Sequence, residues 1–533
     1  MLLAFFVFNS PHDCRALSML SSHVHFSLRL FVLLFFLSLF NYSMFKYFLE
    51  DSMTANRTAL ALAILKDGTI RIDPYVKFSG DICYREGHYY CDKAPGATFV
   101  SFPFIAAAYY GLVAVGRTDF DSFRPVDDSL SPNIPRSPSI DFQLLILAGS
   151  IGVSLGGALT VATLYALGIL LGASQRTAVL VAIFLGFGTM FGLWSTVLMG
   201  HALSGAFLLF GLCGAVYLLE SGSRLSPKVG VRFEETALSA IGWFGVGVLL
   251  AYSFWVEYTT AIPACLVGLL ILSLAHRRGC SPQRIATITC LMFLGTVPVA
   301  ACFCVYNTLA YGSPLSLGYK YVDINFPQMK EGFFGITLPD GIVLLKTIFH
   351  SKYGILWFSP ALILFPFFVV DNIRKDRNRE LNIACFLVVA YYFLLNSSYA
   401  YWPQTYFGPR HCTPCLPFAV IPFLSGWDHR TTVFRRTCNV LIGLSLLIGA
   451  VALFVPASPY LYDARWTLFF MIDCFCRGEV RNLLYYAGVP TYLTIVIILA
   501  VWSAFAWRLS VECHAKRTND DSAAQNTILG SGK

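Results

Sequence analysis

The sequence predicts an all-α polytopic membrane protein with about 11–13 transmembrane helices, and three observations carry that prediction. Of its 533 residues, 56% are hydrophobic and only 13% are charged, about half the charged share of a soluble domain. The mean hydropathy is +0.64. Apolar runs of about 20 residues, long enough for a hydrocarbon core of roughly 30 Å, recur along the whole chain. A membrane β-barrel would show short alternating segments instead.

The elements follow in order. In residues 1–25 a weak apolar start is interrupted by Pro11, His12, Asp13 and Cys14. This stretch reads as a disordered extension, with Met19 as an alternative start; a start at Met44 would remove the first span. Apolar spans then fall near 26–42, 97–116, 141–171, 177–197, 200–219, 236–256, 258–275, 285–306, 352–370, 382–396, 410–425, 438–456 and 488–507. They define a membrane domain over 26–508. Residues 509–533 are polar and read as a disordered tail.

Sidedness comes from charge. The net charge is +8, and the basic residues cluster in short loops: Arg277, Arg278 and Arg284; Arg374, Lys375, Arg377 and Arg379; Arg430, Arg435 and Arg436; Arg508, Lys516 and Arg517. This is the positive-inside pattern rather than a nucleic-acid surface, so these loops and the tail are expected in the cytoplasm. Loops 43–96, 307–351, 397–409 and 457–487 are then expected on the outer face. Counting forward from the N-terminus and back from the basic loops disagrees by one crossing between 97 and 220. The run 141–171, with Gly149, Gly152, Gly156 and Gly157, would restore agreement as two short spans; otherwise one segment here is half-buried. Most cysteines lie inside the spans, where they act as small hydrophobes. Cys83 and Cys91 share the first outer loop and are candidates to pair there. Cys412 and Cys415 have redox-like spacing but no strand–helix context.

The first outer loop is the most charged. Its 53–66 segment reads as an interfacial amphipathic helix, capped by Ser52 or Thr54 and ended by Gly68. Asp51 follows the first span closely, and a carboxylate there can accept a proton from an acceptor hydroxyl; Glu50 and Asp81 compete for that role. Lys93 precedes Pro95 at a helix start. It either snorkels or joins the helix N-terminus in an anion site. Arg410 opens another span on the same face, and guanidinium suits phosphate oxygens. Trp402 and Tyr406, with Tyr399 and Tyr401, form either an aromatic belt or a stacking surface for a sugar. His201 and Glu257 fall at or within apolar spans, where charge is costly and tends to be paired or functional. No metal-ligand spacing stands out; a divalent cation on the acids is left open.

Asp51, Asn56-Arg57, Gly68-Thr69 and the run Gly87-His88-Tyr89-Tyr90-Cys91-Asp92-Lys93-Ala94-Pro95-Gly96 resemble the first outer loop of polyprenyl-phosphate-dependent glycosyltransferases with the GT-C fold. The Asp92-Lys93-Ala94-Pro95-Gly96 run is similar to the Asp-Lys-Pro-Pro-Leu of the aminoarabinose transferases, with alanine for one proline and glycine for the leucine. Gly188-Thr189, His201, Tyr311-Gly312-Ser313-Pro314, Tyr353-Gly354-Ile355-Leu356 and Gly408-Pro409-Arg410 follow in a similar order. The resemblance covers roughly residues 45–420. It implies a multi-pass enzyme of the plasma (inner) membrane that moves a sugar, with inversion, from a polyprenyl-phosphate donor to an acceptor on the outer or periplasmic face. Asp51 would be the base; Lys93, Arg57 and Arg410 would hold the donor phosphate; His88, Tyr89, His201, Glu257, Trp402 and Tyr406 would line the sugar or acceptor site. A transporter or lipid flippase is the other reading. It predicts charges at the membrane midplane and two repeated halves, whereas the charges here gather in outer loops.

Overall fold

Long runs of Leu, Phe, Ala and Val cannot leave backbone groups unpaired in lipid, so a helix is the way such a chain crosses a bilayer. The computed structural model describes residues 27–45, 51–125, 136–224, 237–322, 327–400, 408–455, 467–477 and 482–530; the 1–25 extension lies outside them. The principal helices are α1 (Leu28–Met44), α2 (Ser52–Leu62), α3 (Gly96–Ala114), α4 (Ile140–Leu170), α5 (Gln175–Gly188), α6 (Gly200–Arg224), α7 (Ala237–Val256), α8 (Ala261–Arg277), α9 (Pro282–Tyr311), α10 (Phe365–Arg374), α11 (Arg379–Ser397), α12 (Leu416–Gly426), α13 (Thr432–Phe454) and α14 (Thr491–Gly530). Among the described residues, nine helices are long and apolar enough to cross a membrane. The span expected at 352–370 is broken into Ile355–Phe358, Pro360–Leu364 and α10, because Pro360 and Pro366 supply no backbone donor. The 509–533 tail, expected to be disordered, continues α14 as far as Gly530; good helix formers such as Ala515, Lys516, Arg517 and Ala523 carry it on.

The bundle has two distinct ends. At one, the basic loops are laced by ion pairs: Arg278 with Glu220 at 2.6 Å, Arg277 with Asp376 and Glu380, and Arg430 with Asp371 at 2.7 Å. Ser174 and Thr177 at the start of α5 donate to Asp428 there, and Gly168 of α4 packs on Leu424 and Ala178. α1 begins at this end, where Ser27 N donates to Tyr165 Oη, and Glu512 of α14 lies 3.5 Å from Arg29. The other end carries the first loop, the 312–340 loop and the junction between α7 and α8.

The disagreement over crossings resolves at α3. Ile140–Leu170 is one continuous helix, not two short spans, and its 31 residues extend roughly 46 Å. α3 runs along the half of α4 farthest from the basic loops. Ser101 meets Gly152, Ile105 meets Gly149, and beyond the helix Arg117 Nη2 lies 2.5 Å from Asp141 Oδ1. α3 therefore leads away from the basic end, and both of its termini stay on the first-loop side. Despite the helix's length, this packing argues against α3 carrying the chain across. The start of α1 and the Glu512 stretch of α14 lie together at the basic end. Val115→Cys is expected to react with an impermeant maleimide from the same side as Leu338→Cys and from the opposite side to Val433→Cys, in a background without the exposed native thiols. Reaction alongside Val433→Cys would restore α3 as a crossing.

The first loop is a packed cap rather than a segment lying on lipid. α2 forms close to its expected place, but Met53 through Leu62 are all buried, covered by protein instead of a bilayer surface. Asp51 is its N-cap, accepting from Met53 N at 2.8 Å. Strands β1 (Ile82–Arg85) and β2 (His88–Cys91) pair antiparallel around Glu86 and Gly87, whose φ angles of 53° and 85° are those of a tight hairpin turn. Tyr75 stacks on Phe142 and Phe78 packs on it at a tilt, joining the cap to the first-loop half of α4 in a second apolar core. Cys83 faces Tyr90 and Cys91 faces Ile82 across the hairpin. Both thiols are free and buried, burial pushes the Cys91 thiol up to about 12, and the candidate pairing is not formed.

Candidate functional site

The cap, the α7–α8 junction, the 312–340 loop, the end of α11 and the start of the 410–426 segment enclose one cavity of about 530 Å³. Arg57, Asp81, Asp92, Lys93, His201, Glu257, Arg410 and His411 line its polar part. Ile262, Leu317, Met329, Phe333, Phe334, Ile336, Leu394 and Leu395 line an apolar part.

Local structure explains how the charges converge. The β1–β2 hairpin brings Asp81, just before one strand, beside Asp92 and Lys93, just after the other. Lys93 Nζ lies 2.6 Å from Asp92 Oδ2 and 3.2 Å from Asp81 Oδ1. Asn56 of α2 donates to Asp92 Oδ1 at 2.9 Å and also to the Asp81 carbonyl, tying helix and hairpin together. Burial alone would pull the Lys93 ammonium down, but the two carboxylates outweigh it and hold its pKa above the usual lysine value. Burial drives the Asp92 carboxyl the other way, upward, against the pull of Lys93. Gly96 is needed where α3 starts, because a Cβ there would lie 2.5 Å from Trp255 O; that contact packs the start of α3 on the end of α7.

Arg57 projects from α2. Its Nη1 donates to Met53 O at 3.2 Å, its buried Nε has no hydrogen-bond partner, and among the described residues no carboxylate lies within ion-pair distance. Arg410 and His411 enter from the 3-10 turn Arg410–Cys415, which forms because Pro409, Pro414 and Pro417 interrupt regular helix bonding. His201 Nδ1 lies 3.4 Å from Glu257 Oε2, and the His201 and His411 rings are 5.0 Å apart.

The structure thus brings Arg57, Asp81, Lys93, His201, Glu257 and Arg410 to one cavity. It leaves others out. Asp51 is buried at the α2 cap and does not line the cavity. His88 Nδ1 is 2.8 Å from Asp73 Oδ2, and Tyr89 N donates to Asp73 Oδ1, both on the far side of the hairpin. Glu50, Trp402 and Tyr406 lie outside the described residues. Sequence reasoning gave no site role to Asp92, Tyr258, Tyr319 or His411. For His411, a polar ring entering an apolar span was itself the signal. Among the described residues no group of three or more His, Cys, Asp or Glu side chains is placed to hold a metal; the gap between Asp81 and Asp92 is filled by the Lys93 ammonium.

No protein-family model matches the chain, and no curated protein matches it in sequence. Solved structures show partial likeness. Archaeal oligosaccharyltransferase AglB from Archaeoglobus fulgidus, in complex with an inhibitory peptide and a dolichol-phosphate, is 10% identical over 80% of this chain and 55% of its own, with a TM-score of 0.49. ArnT from Cupriavidus metallidurans bound to undecaprenyl phosphate is 13% identical over 92% of this chain and 77% of its own, at 0.46. The apo form of the Archaeoglobus fulgidus oligosaccharyltransferase gives 10% over 85% and 56%, at 0.47. The chain spans about half the length of the archaeal enzyme, and at these scores the functional reading rests on the cavity and the sequence motifs.

Proposed function

We propose that the protein is a membrane glycosyltransferase that moves a sugar, with inversion, from a polyprenyl-phosphate donor to a lipid, glycan or protein hydroxyl on the outer face of the plasma (inner) membrane. One observation carries the reading: Arg57, Lys93 and Arg410 gather at a buried cavity whose other wall is apolar and which opens from the first-loop end of a membrane bundle. Cations so placed suit a phosphate joined to a hydrocarbon, since charge-assisted hydrogen bonds strengthen out of water. The motif order of the first loop supports the same reading.

In this scheme the acceptor oxygen attacks the anomeric carbon on the face opposite the phosphate. The bond from that carbon to the phosphate oxygen breaks, leaving its electron pair on the oxygen, where Lys93, Arg57 and Arg410 offset the developing charge. The hydroxyl proton passes to Asp81, which takes the role first expected of Asp51. Asp81 lines the cavity and keeps one oxygen free of Lys93, whereas both oxygens of Asp92 are engaged, Oδ2 by Lys93 and Oδ1 by Asn56. A single displacement needs one base and inverts the centre.

The test is a screen of polyprenyl-phosphate sugars with the purified protein in nanodiscs. The expected result is free polyprenyl phosphate and a glycosylated acceptor of inverted configuration. Movement of the intact lipid between leaflets without cleavage of the sugar bond would support the flippase reading instead.

A further inference from the structure

We propose that His201, Glu257 and Tyr258 form the sugar-reading part of the cavity and select a neutral ring through adjacent hydroxyls. The inference rests on the donor reading above and adds to it which sugar class is held, and by what.

These three side chains come from elements separate from the first loop that supplies Asp81, Asp92 and Lys93. The start of α6 presses on the α7–α8 junction: a Cβ on Gly200 would lie 2.6 Å from Val256 O and 2.9 Å from Glu257 Oε2. That close approach brings His201 beside Glu257. All three line the cavity, and two hold polar atoms with nothing to bond. The buried Tyr258 hydroxyl and the buried His201 Nδ1 have no hydrogen-bond partner; Nδ1 lies 3.4 Å from Glu257 Oε2 without the alignment of a hydrogen bond. Folded interiors rarely leave such groups unmet, because an unmade buried hydrogen bond is costly. Two in one cavity, flanking a carboxylate, point to a ligand that supplies both donors and acceptors at short spacing. Adjacent ring hydroxyls do this.

The surroundings narrow the class. Tyr319 and Tyr399 also line the cavity, Tyr319 packing on Tyr258 at 6.1 Å and Tyr399 on His411 at 4.6 Å between ring centroids, and their faces suit the apolar side of a sugar ring. Glu257 would accept from hydroxyls but would repel a carboxylate, so a uronic acid is disfavoured. A site built to bond a hydroxyl also rejects an analogue lacking it, since its own groups are again left unmet.

The experiment measures binding to the full chain in nanodiscs, using farnesyl phosphate, a panel of farnesyl-phosphoryl hexoses and farnesyl-phosphoryl glucuronate. Wild-type protein is expected to bind the best hexose lipid roughly 10- to 100-fold more tightly than farnesyl phosphate, and the glucuronate more weakly than that hexose. Tyr258→Phe, which removes one oxygen that bonds to nothing in the protein, is expected to keep the fold and the farnesyl phosphate affinity while losing most of the gain from the sugar. Glu257→Gln should also restore binding of the glucuronate lipid. If Tyr258→Phe keeps the full gain, or wild-type protein binds sugar-bearing and sugar-free lipids alike, this inference is overturned and the phosphate reading stands. If wild-type protein binds none of the lipids, the phosphate reading falls and takes this one with it.

Discussion

Lys93→Ala is expected to lower sugar transfer roughly 100- to 1000-fold, the usual loss when a charge stabiliser leaves a water-poor site, and to cost stability as well. Its ammonium sits between Asp81 and Asp92, and removing one partner of a buried ion pair typically costs about 3–5 kcal/mol. The actual cost should fall toward the low end, because burial already pushes the Asp92 carboxyl upward and it can take up a proton once the ammonium is gone. Lys93→Gln separates the two effects. It keeps a donor between the carboxylates but no charge for the phosphate, so it should retain a monodisperse, folded protein and still lose transfer. Transfer and donor affinity both close to wild type in Lys93→Gln would remove Lys93 from the phosphate site.

Asp81→Asn is expected to lower transfer by roughly 10²- to 10⁴-fold, the range that a general base contributes, with donor affinity little changed. Asp51→Asn is the matched control. Asp51 caps α2 by accepting from Met53 N, and asparagine caps a helix about as well as aspartate, so this variant should fold and transfer nearly normally. Asp51→Ala should cost about 1 kcal/mol in stability through the lost cap. A dead Asp51→Asn beside an active Asp81→Asn would return the base to Asp51. Rate measurements under single-turnover conditions distinguish these outcomes, because they separate the chemical step from binding.

Much of the bundle could be read from hydropathy. The spans at 200–219, 236–256 and 285–306 match α6, α7 and α9, because an apolar run of that length has few other ways to satisfy its backbone. What periodicity could not reveal was direction. α3 is as apolar as other candidate crossings, and only its pairing with the far half of α4 points it away from the basic end. α2 was legible as a helix but not as a buried one, since cover by lipid and cover by protein demand the same apolar face. At the site, Lys93 and Arg410 stand out in the sequence as cations at the mouths of apolar spans, whereas Arg57 enters only through the resemblance of the first loop. Asp92 and His411 were missed because their settings depend on partners distant in sequence: Asn56 and Asp81 complete the ion-pair cluster that Asp92 forms with Lys93, and His201 packs on His411.

The measurement that bears most directly on the account is a structure of the protein in a nanodisc with a bound polyprenyl phosphate. The account predicts phosphate density within hydrogen-bond reach of Lys93 and of Arg57 or Arg410, with the hydrocarbon leaving past Phe333, Phe334 and Leu394. A phosphate bound at the basic-loop end instead, or an empty cavity at saturating lipid, would contradict it.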